Sequence, residues 1–450
     1  MDNEPDPMER PSPTVDDNRY ESPGPRSLDA VETTGRRLKV LVSAYACDPD
    51  AGSEPGMGWH WIRNLAPYHD LWVLTEENRF APALERGIRQ HRDLEGKVRI
   101  VPVRRQRYGE RVLSQMYYLS YRHWQRDAFR KARALHREIG FDLVHQLNMI
   151  GYREPGFLWK LGIPFLWGPI GGHAQMPWPF VKDQDGQGRL HYGMRNVLNA
   201  IQMRTSLRVR RAVRRASVLL AATPEDRAAL SAIHHRPSLL VPEVGTDPQS
   251  SPEIPTHAGS RAPGPLRLIW CGLCIPRKAL PLGLHALRRA LDLGVDARLD
   301  VVGDGPCREQ WIRLSKELSL NGHCVWHGAQ PHDRALALID AADALLFTSV
   351  QDATATVVVE ALQSGVPVIC HDAFGFGGIV DSSCGLKVPM RNPDASRVSF
   401  ADAIVRLAES PALVGTLSSG ALARARSMAW SVKVAEVAAL YRSIVDGHRL

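Results

Sequence analysis

The feature that most constrains this chain is an alternation that occurs twice. Short runs rich in Val, Ile and Leu recur between segments with helical apolar spacing. The first series falls at residues 38–44, 71–74, 98–103, 141–145, 164–167, 218–222 and 238–242. The second falls at 266–271, 297–302, 324–327, 344–348 and 366–370, with helical patterns at 282–293, 307–318, 333–341 and 355–364 between the runs. Short apolar runs without polar alternation are typical of strands covered on both faces, and strand–helix alternation builds a parallel sheet flanked by helices. Between the two series, Pro248, Pro252, Pro255, Pro263 and Pro265 lie among Ser, Gly and Thr, which interrupts regular structure. The pattern therefore predicts two doubly wound, Rossmann-like α/β domains, 37–245 and 266–430, joined by a linker at 246–265. A final helical segment, 431–450, carries Val434, Val437, Ala438 and Tyr441 on one face and is expected to cross back to the first domain.

Composition narrows the class further. The chain has 450 residues, enough for two substantial cores, and 44% of them are apolar, which excludes a wholly disordered chain. Seven cysteines scattered through apolar stretches, with Cys271 and Cys274 the sole C-x-x-C, point to reduced buried thiols rather than a disulfide or zinc framework. The longest apolar stretch, 157–172, is broken by Lys160 and Pro164 and is shorter than the roughly 20 residues a bilayer requires. With no cationic segment leading into an apolar run at the N-terminus, the expected location is the cytoplasm. Residues 1–36 hold nine acids against four Arg and six Pro, and read as a disordered acidic tail.

The remaining chain is strongly basic. Ten Lys and Arg face two acids in 104–137, and a second cluster includes Arg195, Arg204, Arg208, Arg210, Arg211, Arg214 and Arg215. Both segments also have helical apolar spacing, as a helix lying on an anionic membrane surface or holding a phosphate-rich ligand would. A solvated helix face accounts for the same charge. No sequence-reading motif accompanies it, so nucleic acid is not an expected partner.

Ligands of doubly wound sheets sit beyond the carboxyl ends of the strands, and the residues there are distinctive. The first strand leads into a loop with Gly52, Ser53, Gly56 and Gly58 that opens a helix, suited to close approach by an anion. Its spacing is not G-x-G-x-x-G, which argues against a nicotinamide dehydrogenase. The second domain opens with Gly272, Arg277 and Lys278 after its first strand, two adjacent cations able to neutralise a departing diphosphate. Later, Asp352 precedes a helix with Thr354 as expected N-cap, so that the N–H groups of Thr356 and Val357 would be free for an anion. Glu360 lies within that helix among Val357, Val358, Val359 and Leu362, where its carboxylate needs hydroxyl or cationic partners.

Together these motifs resemble a known family. The pattern is an acid separated by seven residues from Glu360, then Ala-Leu-x-x-Gly-x-Pro-Val, with Gly303-Asp-Gly-Pro306, Pro276-Arg-Lys278 and Cys384-Gly-Leu-Lys-Val-Pro389. It is similar to the retaining glycosyltransferases of family 4, which have the GT-B fold, and the similarity extends over roughly residues 38–445. The resemblance implies that Asp352 contacts the donor sugar and Glu360 the ribose. The family lysine falls on Lys278 and its arginine on Leu273, so Arg277 is expected to stand in. The segment holding Gly375 and Gly377 would take the place of the glycine loop near the sugar, and Gly52, Ser53 and Gly56 that of the phosphate-facing loop. His145 and His173 follow strands where the family places acceptor-side and catalytic histidines.

What the resemblance implies is a hexosyl transfer that preserves anomeric configuration. The donor would be a UDP- or GDP-linked sugar, bound as a substrate without a further cofactor. The absence of Asp-x-Asp at a strand end predicts no metal requirement. The basic segment 104–137 motivates a saccharide or lipid-linked acceptor at the inner face of an anionic membrane, in surface polysaccharide assembly. Two rivals are a non-catalytic GT-B subunit, motivated by Leu273 and Asp352, and a sugar-nucleotide epimerase of the same fold.

Overall fold

The computed structural model describes residues 36–106, 116–247 and 263–447. The acidic tail, part of the basic segment and most of the linker lie outside the described residues. The first sheet contains β1 (Lys39–Ala44), β2 (Asp70–Glu76), β3 (Val98–Val103), β4 (Leu143–Asn148), β5 (Phe165–Ile170), β6 (Val218–Ala221) and β7 (Leu239–Leu240). The second contains β8 (Leu266–Cys271), β9 (Ala297–Val302), β10 (Cys324–Gly328), β11 (Ala344–Phe347), β12 (Val368–His371) and β13 (Gly385–Val388). Their orders are β3-β2-β1-β4-β5-β6-β7 and β10-β9-β8-β11-β12-β13. Every described strand pair is parallel. The order reverses at β1/β4 and at β8/β11, which opens a crevice at the carboxyl end of each sheet.

Burial explains why the strand runs are so apolar. β4 and β5 are buried along their whole length, as are β11 and β12. Helices cover both faces, because a parallel sheet requires crossover connections. The helix Trp430–Val445 inserts Trp430, Val434, Val437, Ala438 and Tyr441 into the core of the first half, beside Trp61, Ile62 and Leu65 of the helix Ser53–Leu65. Across that seam His69 Nε2 lies 3.1 Å from the Ala438 carbonyl.

The two halves are also joined by polar contacts near the crevices. Phe374 N–H donates to Glu225 Oε1 at 2.7 Å, Gln351 Nε2 to the Ala174 carbonyl at 3.0 Å and Gln363 Nε2 to the Asp247 carbonyl at 2.8 Å. Lys433 donates to the carbonyls of Pro242 and Val244 at 3.0 and 2.6 Å, with its ammonium 3.7 Å from the Trp430 ring centre.

The basic helices have different faces. Met116–Ile139 buries Tyr121, Trp124, Ala128 and Ala132 in the first core, so the apolar side of segment 104–137 is largely covered. Tyr118 and Leu119 in the first turn of this helix stay exposed, and residues 107–115 of the segment lie outside the described residues. The helix Gly186–Thr205 instead leaves Leu190, Met194, Val197, Leu198 and Ile201 exposed, from 49% to 69%. Their spacing of four, three, one and three residues makes one continuous stripe. No helix among the described residues is long and apolar enough to cross a membrane.

Candidate active site

The loop after β8 is shaped by close backbone packing. Gly303, at φ +132°, approaches so closely that a Cβ there would lie 1.8 Å from the Gly272 carbonyl oxygen, so neither loop could sit here with a larger residue at 303. The loop continues through a short turn, Pro276–Lys278, and Ala279 at φ +46° starts the helix Leu280–Asp292. Val350 N–H donates to the Arg277 carbonyl at 2.8 Å and Thr348 Oγ1 to the Lys278 carbonyl at 2.8 Å. The cationic loop is thereby held against the end of β11.

Those bonds bring Arg277 and Lys278 onto Asp352. Arg277 Nη1 lies 3.0 Å from Asp352 Oδ1, and Lys278 Nζ pairs with Asp352 Oδ2. Arg277 Nη1 also donates to the Gln351 carbonyl at 2.9 Å. Burial pushes the Asp352 carboxyl up, but Lys278 and then Arg277 outweigh it and hold it below its ordinary value. The two cations are thus paired, with one positive charge in excess, rather than freely solvated.

Asp352 leads into the helix Thr356–Gln363, but the expected cap is corrected. Ala355, at φ +63°, occupies the N-cap position and supplies no side-chain bond. Thr354 turns to the crossing segment instead: its N–H and Oγ1 donate to the two oxygens of Glu243 at 2.9 and 2.5 Å. Burial holds the Glu243 carboxyl above its ordinary value, and the two bonds from Thr354 offset only part of that rise. The first-turn N–H groups at Thr356 and Val357 consequently meet no side-chain cap.

Thr356 and Glu360 line a cavity of about 870 Å³ whose other wall is Gly52, Ser53, Gly56 and His60 from the first domain. Such a volume suits a nucleotide-sized ligand. Gly56 is required by the tight turn into its helix, since a Cβ there would fall 2.1 Å from the Ala51 carbonyl oxygen. Burial pushes the Glu360 carboxyl up, against the pull of His332. No described side chain donates a hydrogen bond to it, which leaves it open to ligand hydroxyls. Val357 does not line this cavity; its side chain packs on the second core.

Other expected site residues are placed differently. Gly375 and Gly377 are buried in the short helix Phe374–Ile379, where a Cβ on Gly375 would be 3.0 Å from the Ala353 carbonyl. Gly375 braces the loop carrying Asp352, Gly377 packs on His371 and Asp372, and neither lines the 870 Å³ cavity. His145 is fully buried, with Nε2 2.6 Å from the Gly168 carbonyl and Nδ1 2.5 Å from the Tyr441 hydroxyl. A carbonyl only accepts, so Nε2 donates and Nδ1 accepts from Tyr441. With burial pushing its pKa down to about 4, His145 is a neutral link to the last helix and does not reach the cleft. This corrects its expected catalytic role. Leu273, in the family's arginine position, is 61% exposed.

His173 lies nearer the chemistry. Its Nδ1 donates to Asp226 Oδ1 at 2.8 Å, its ring stacks on Tyr152, and Nε2 is buried without a partner. Its neighbours Gly172 and Ala174 line a second cavity, of about 240 Å³, together with Asp226, Arg153, Arg195, Arg277 and Asp352. Sequence reasoning missed Arg153, Asp226 and Glu243, and named Arg195 only as part of a basic cluster. Arg153 follows β4 and Asp226 follows β6, so a systematic reading of residues beyond strand ends could have found both.

This geometry agrees with three comparisons. Residues 261–413 match the model of the glycosyl transferases group 1 family. D-inositol 3-phosphate glycosyltransferase of Streptomyces griseus is 26% identical over 245 residues, half of this chain and 51% of that protein. Lipopolysaccharide core biosynthesis glycosyltransferase LpsD of Rhizobium meliloti is 31% identical over 34% of this chain and 42% of its own length. The chain therefore spans about half or less of the length of these relatives. Among solved structures, Anabaena HepE in complex with UDP and glucose superposes with a TM-score of 0.58 at 17% identity, over 90% of this chain and all of that one. Sucrose-phosphate synthase of Thermosynechococcus elongatus does so at 0.61 and 18% identity, over 91% of this chain and all of that one. By architecture the chain has the two-domain GT-B fold, and the match to the model of the group 1 glycosyl transferases falls almost wholly within its second domain.

Proposed function

We propose that the protein is a retaining glycosyltransferase of family 4 that moves a hexose from a nucleoside diphosphate sugar to an acceptor hydroxyl. The observation that carries this reading is the convergence of Lys278 and Arg277 on Asp352 at the wall of the 240 Å³ cavity. One cavity offers Glu360 and an uncapped helix N-terminus to a nucleotide; the other lies beside Asp352 and His173. The bond from the anomeric carbon to the β-phosphate oxygen breaks as the bond to the acceptor oxygen forms on the same face. Lys278, Arg277 and the N–H groups of Thr356 and Val357 stabilise the charge on the departing diphosphate. That diphosphate accepts the acceptor's proton, so no protein nucleophile and no divalent metal is required.

The acceptor we propose is lipid-linked, in surface polysaccharide assembly at the inner face of a membrane. The exposed stripe Leu190, Met194, Val197, Leu198 and Ile201, with Arg189 and Arg204 on the same helix and the arginines of Leu207–Arg215 following, supports contact with anionic lipid. Donor consumption across UDP-, GDP- and ADP-sugars with mixed lipid-linked acceptors tests the enzyme. Release of one nucleoside diphosphate, abolished in Lys278→Ala and Glu360→Gln and insensitive to chelator, is expected; binding without release in any mixture would favour a non-catalytic subunit. Flotation with vesicles containing anionic lipid, lost in Val197→Glu/Ile201→Glu, tests the membrane contact separately.

A further inference from the structure

The 240 Å³ cavity beside Asp352 has two arginines that the proposed transfer chemistry does not use. Arg153, Arg195 and Arg277 all line it, facing Gly172, Ala174, Thr223, Asp226, Gln351 and Asp352. Arg277 is paired with Asp352, as is Lys278. Arg153 is held by neutral groups: its Nε donates to Gln202 Oε1 at 2.9 Å and its Nη2 to Asn199 Oδ1 at 2.5 Å. Amide acceptors fix a guanidinium in place without cancelling its charge. The Tyr152 hydroxyl donates to the same Asn199 oxygen at 2.5 Å, so that acceptor is itself positioned.

Arg195 stands at the solvent rim, and no carboxylate among the described residues pairs with it or with Arg153. Partial burial, then the nearby Arg153 charge, work against its protonated form. The carboxylates at this cavity are both committed, Asp226 to His173 and Thr223, and Asp352 to the two cations after β8. With Arg277 and Lys278 tied to Asp352 and turned to the diphosphate, Arg153 and Arg195 remain as two positive charges that no described carboxylate balances. Gln351 adds a buried Oε1 with no partner, an acceptor suited to a hydroxyl.

We propose that this cavity binds an anionic group, a phosphate or a carboxylate, carried by one of the two reacting sugars, with Arg153 and Arg195 as the residues that select it. The fork-shaped guanidinium of Arg153, fixed by neutral amides, is suited to a bidentate oxyanion, and Arg195 adds a second charge at the rim. A neutral sugar would leave both arginines unpaired as the cleft closed, so the site discriminates against neutral reactants as well as favouring anionic ones. The assignment of the anion to a reactant rests on the transferase reading; the anion site itself does not.

The test uses the full chain saturated with whichever nucleoside diphosphate it binds, so that the donor phosphates are already provided for. Titration calorimetry with inorganic phosphate, glucose 1-phosphate, glucuronate and glucose then probes the cavity. At least tenfold tighter binding of the anionic probes than of glucose is expected, falling about tenfold in Arg195→Gln and in Arg153→Gln while nucleotide affinity is kept. Arg195 bonds to no other described side chain, so Arg195→Gln carries the test if Arg153→Gln fails to fold. Comparison of UDP-glucuronate with UDP-glucose identifies the source: a uronate preference lost in the variants puts the anion on the donor, and an effect confined to glucose 1-phosphate puts it on the acceptor. Equal affinity for glucose and the anions, or a loss of nucleotide binding in Arg195→Gln as large as that of the probes, would overturn the site. Anion binding that survives when no nucleoside diphosphate binds at all would sink the transferase reading and leave the site standing.

Discussion

Asp352→Asn separates the structural role of the charge cluster from its role toward phosphate. The side chain of Asp352 is 15% exposed, between Lys278 at 12% and Arg277 at 28%. One ion pair at about 4 Å is worth roughly 4 kcal/mol at an effective dielectric constant of about 20. Removing one partner of a buried pair costs about 3–5 kcal/mol, and residual exposure together with the retained amide oxygen brings the expected loss to about 2 kcal/mol. Nucleotide binding should move in the opposite direction. With Asp352 neutral, the cluster gains a full positive charge; one unit charge at roughly 8 Å and an effective dielectric constant of about 20 is worth about 2 kcal/mol, or about thirtyfold in diphosphate Kd at low salt. The expected variant is therefore less stable to urea, binds the nucleoside diphosphate more tightly, and turns over more slowly.

Its pH dependence follows from the same pairing. The folded pKa of Asp352 is lowered, so the unfolded chain binds more protons through that window and stability rises with pH. The contribution is complete above about pH 5 and is lost as pH falls below about 4, where the gap between wild type and Asp352→Asn should close. Unchanged urea midpoints combined with weaker nucleotide binding would refute both halves of the reasoning.

Glu360→Gln should weaken nucleoside diphosphate binding about tenfold without loss of stability, because burial already works against its charge; calorimetry and urea unfolding check the two parts. Tyr441→Phe removes the donor to His145 Nδ1 and should cost about 1–3 kcal/mol in urea while kcat stays unchanged. A selective fall in kcat would restore His145 to the chemistry. Thr354→Val removes the hydroxyl donor to Glu243, and should lower kcat more than nucleotide affinity by loosening the loop that carries Asp352; steady-state kinetics beside nucleotide titration would show the split.

The doubly wound architecture was legible because parallel strands covered on both faces have to be apolar throughout, as β4, β5, β11 and β12 are. β7 was harder: its run is five residues long in sequence, yet only Leu239 and Leu240 pair at the sheet edge. The helices Pro393–Glu409 and Pro411–Ser427 were not read, since small residues such as Ala, Ser and Gly line their buried faces and blur the apolar period. At the site, Lys278, Arg277, Asp352 and Glu360 could be named because they follow strand ends within one local segment each. The use of Thr354 could not. Its alternative partner, Glu243, lies 111 residues earlier, and local sequence offers only the capping role. His145 misled for a related reason, since the helix that claims it is 296 residues away.

Those long-range bonds also explain how the two halves can act together. The loop bearing Asp352 touches the first half on three sides: Gln351 donates to the Ala174 carbonyl, Thr354 to Glu243, and the adjoining Phe374 N–H to Glu225. Ala174 is the residue after His173, and Glu225 precedes Asp226, the partner of that histidine. Any rotation that opened the cleft would have to break these bonds, withdrawing Asp352 from the His173–Asp226 pair at the same time. The cationic loop would move with Asp352, since Arg277 and Lys278 are tied to it and to the end of β11. Closure thus assembles Arg277, Lys278, Asp352 and the buried His173 in one step, and opening dismantles that group.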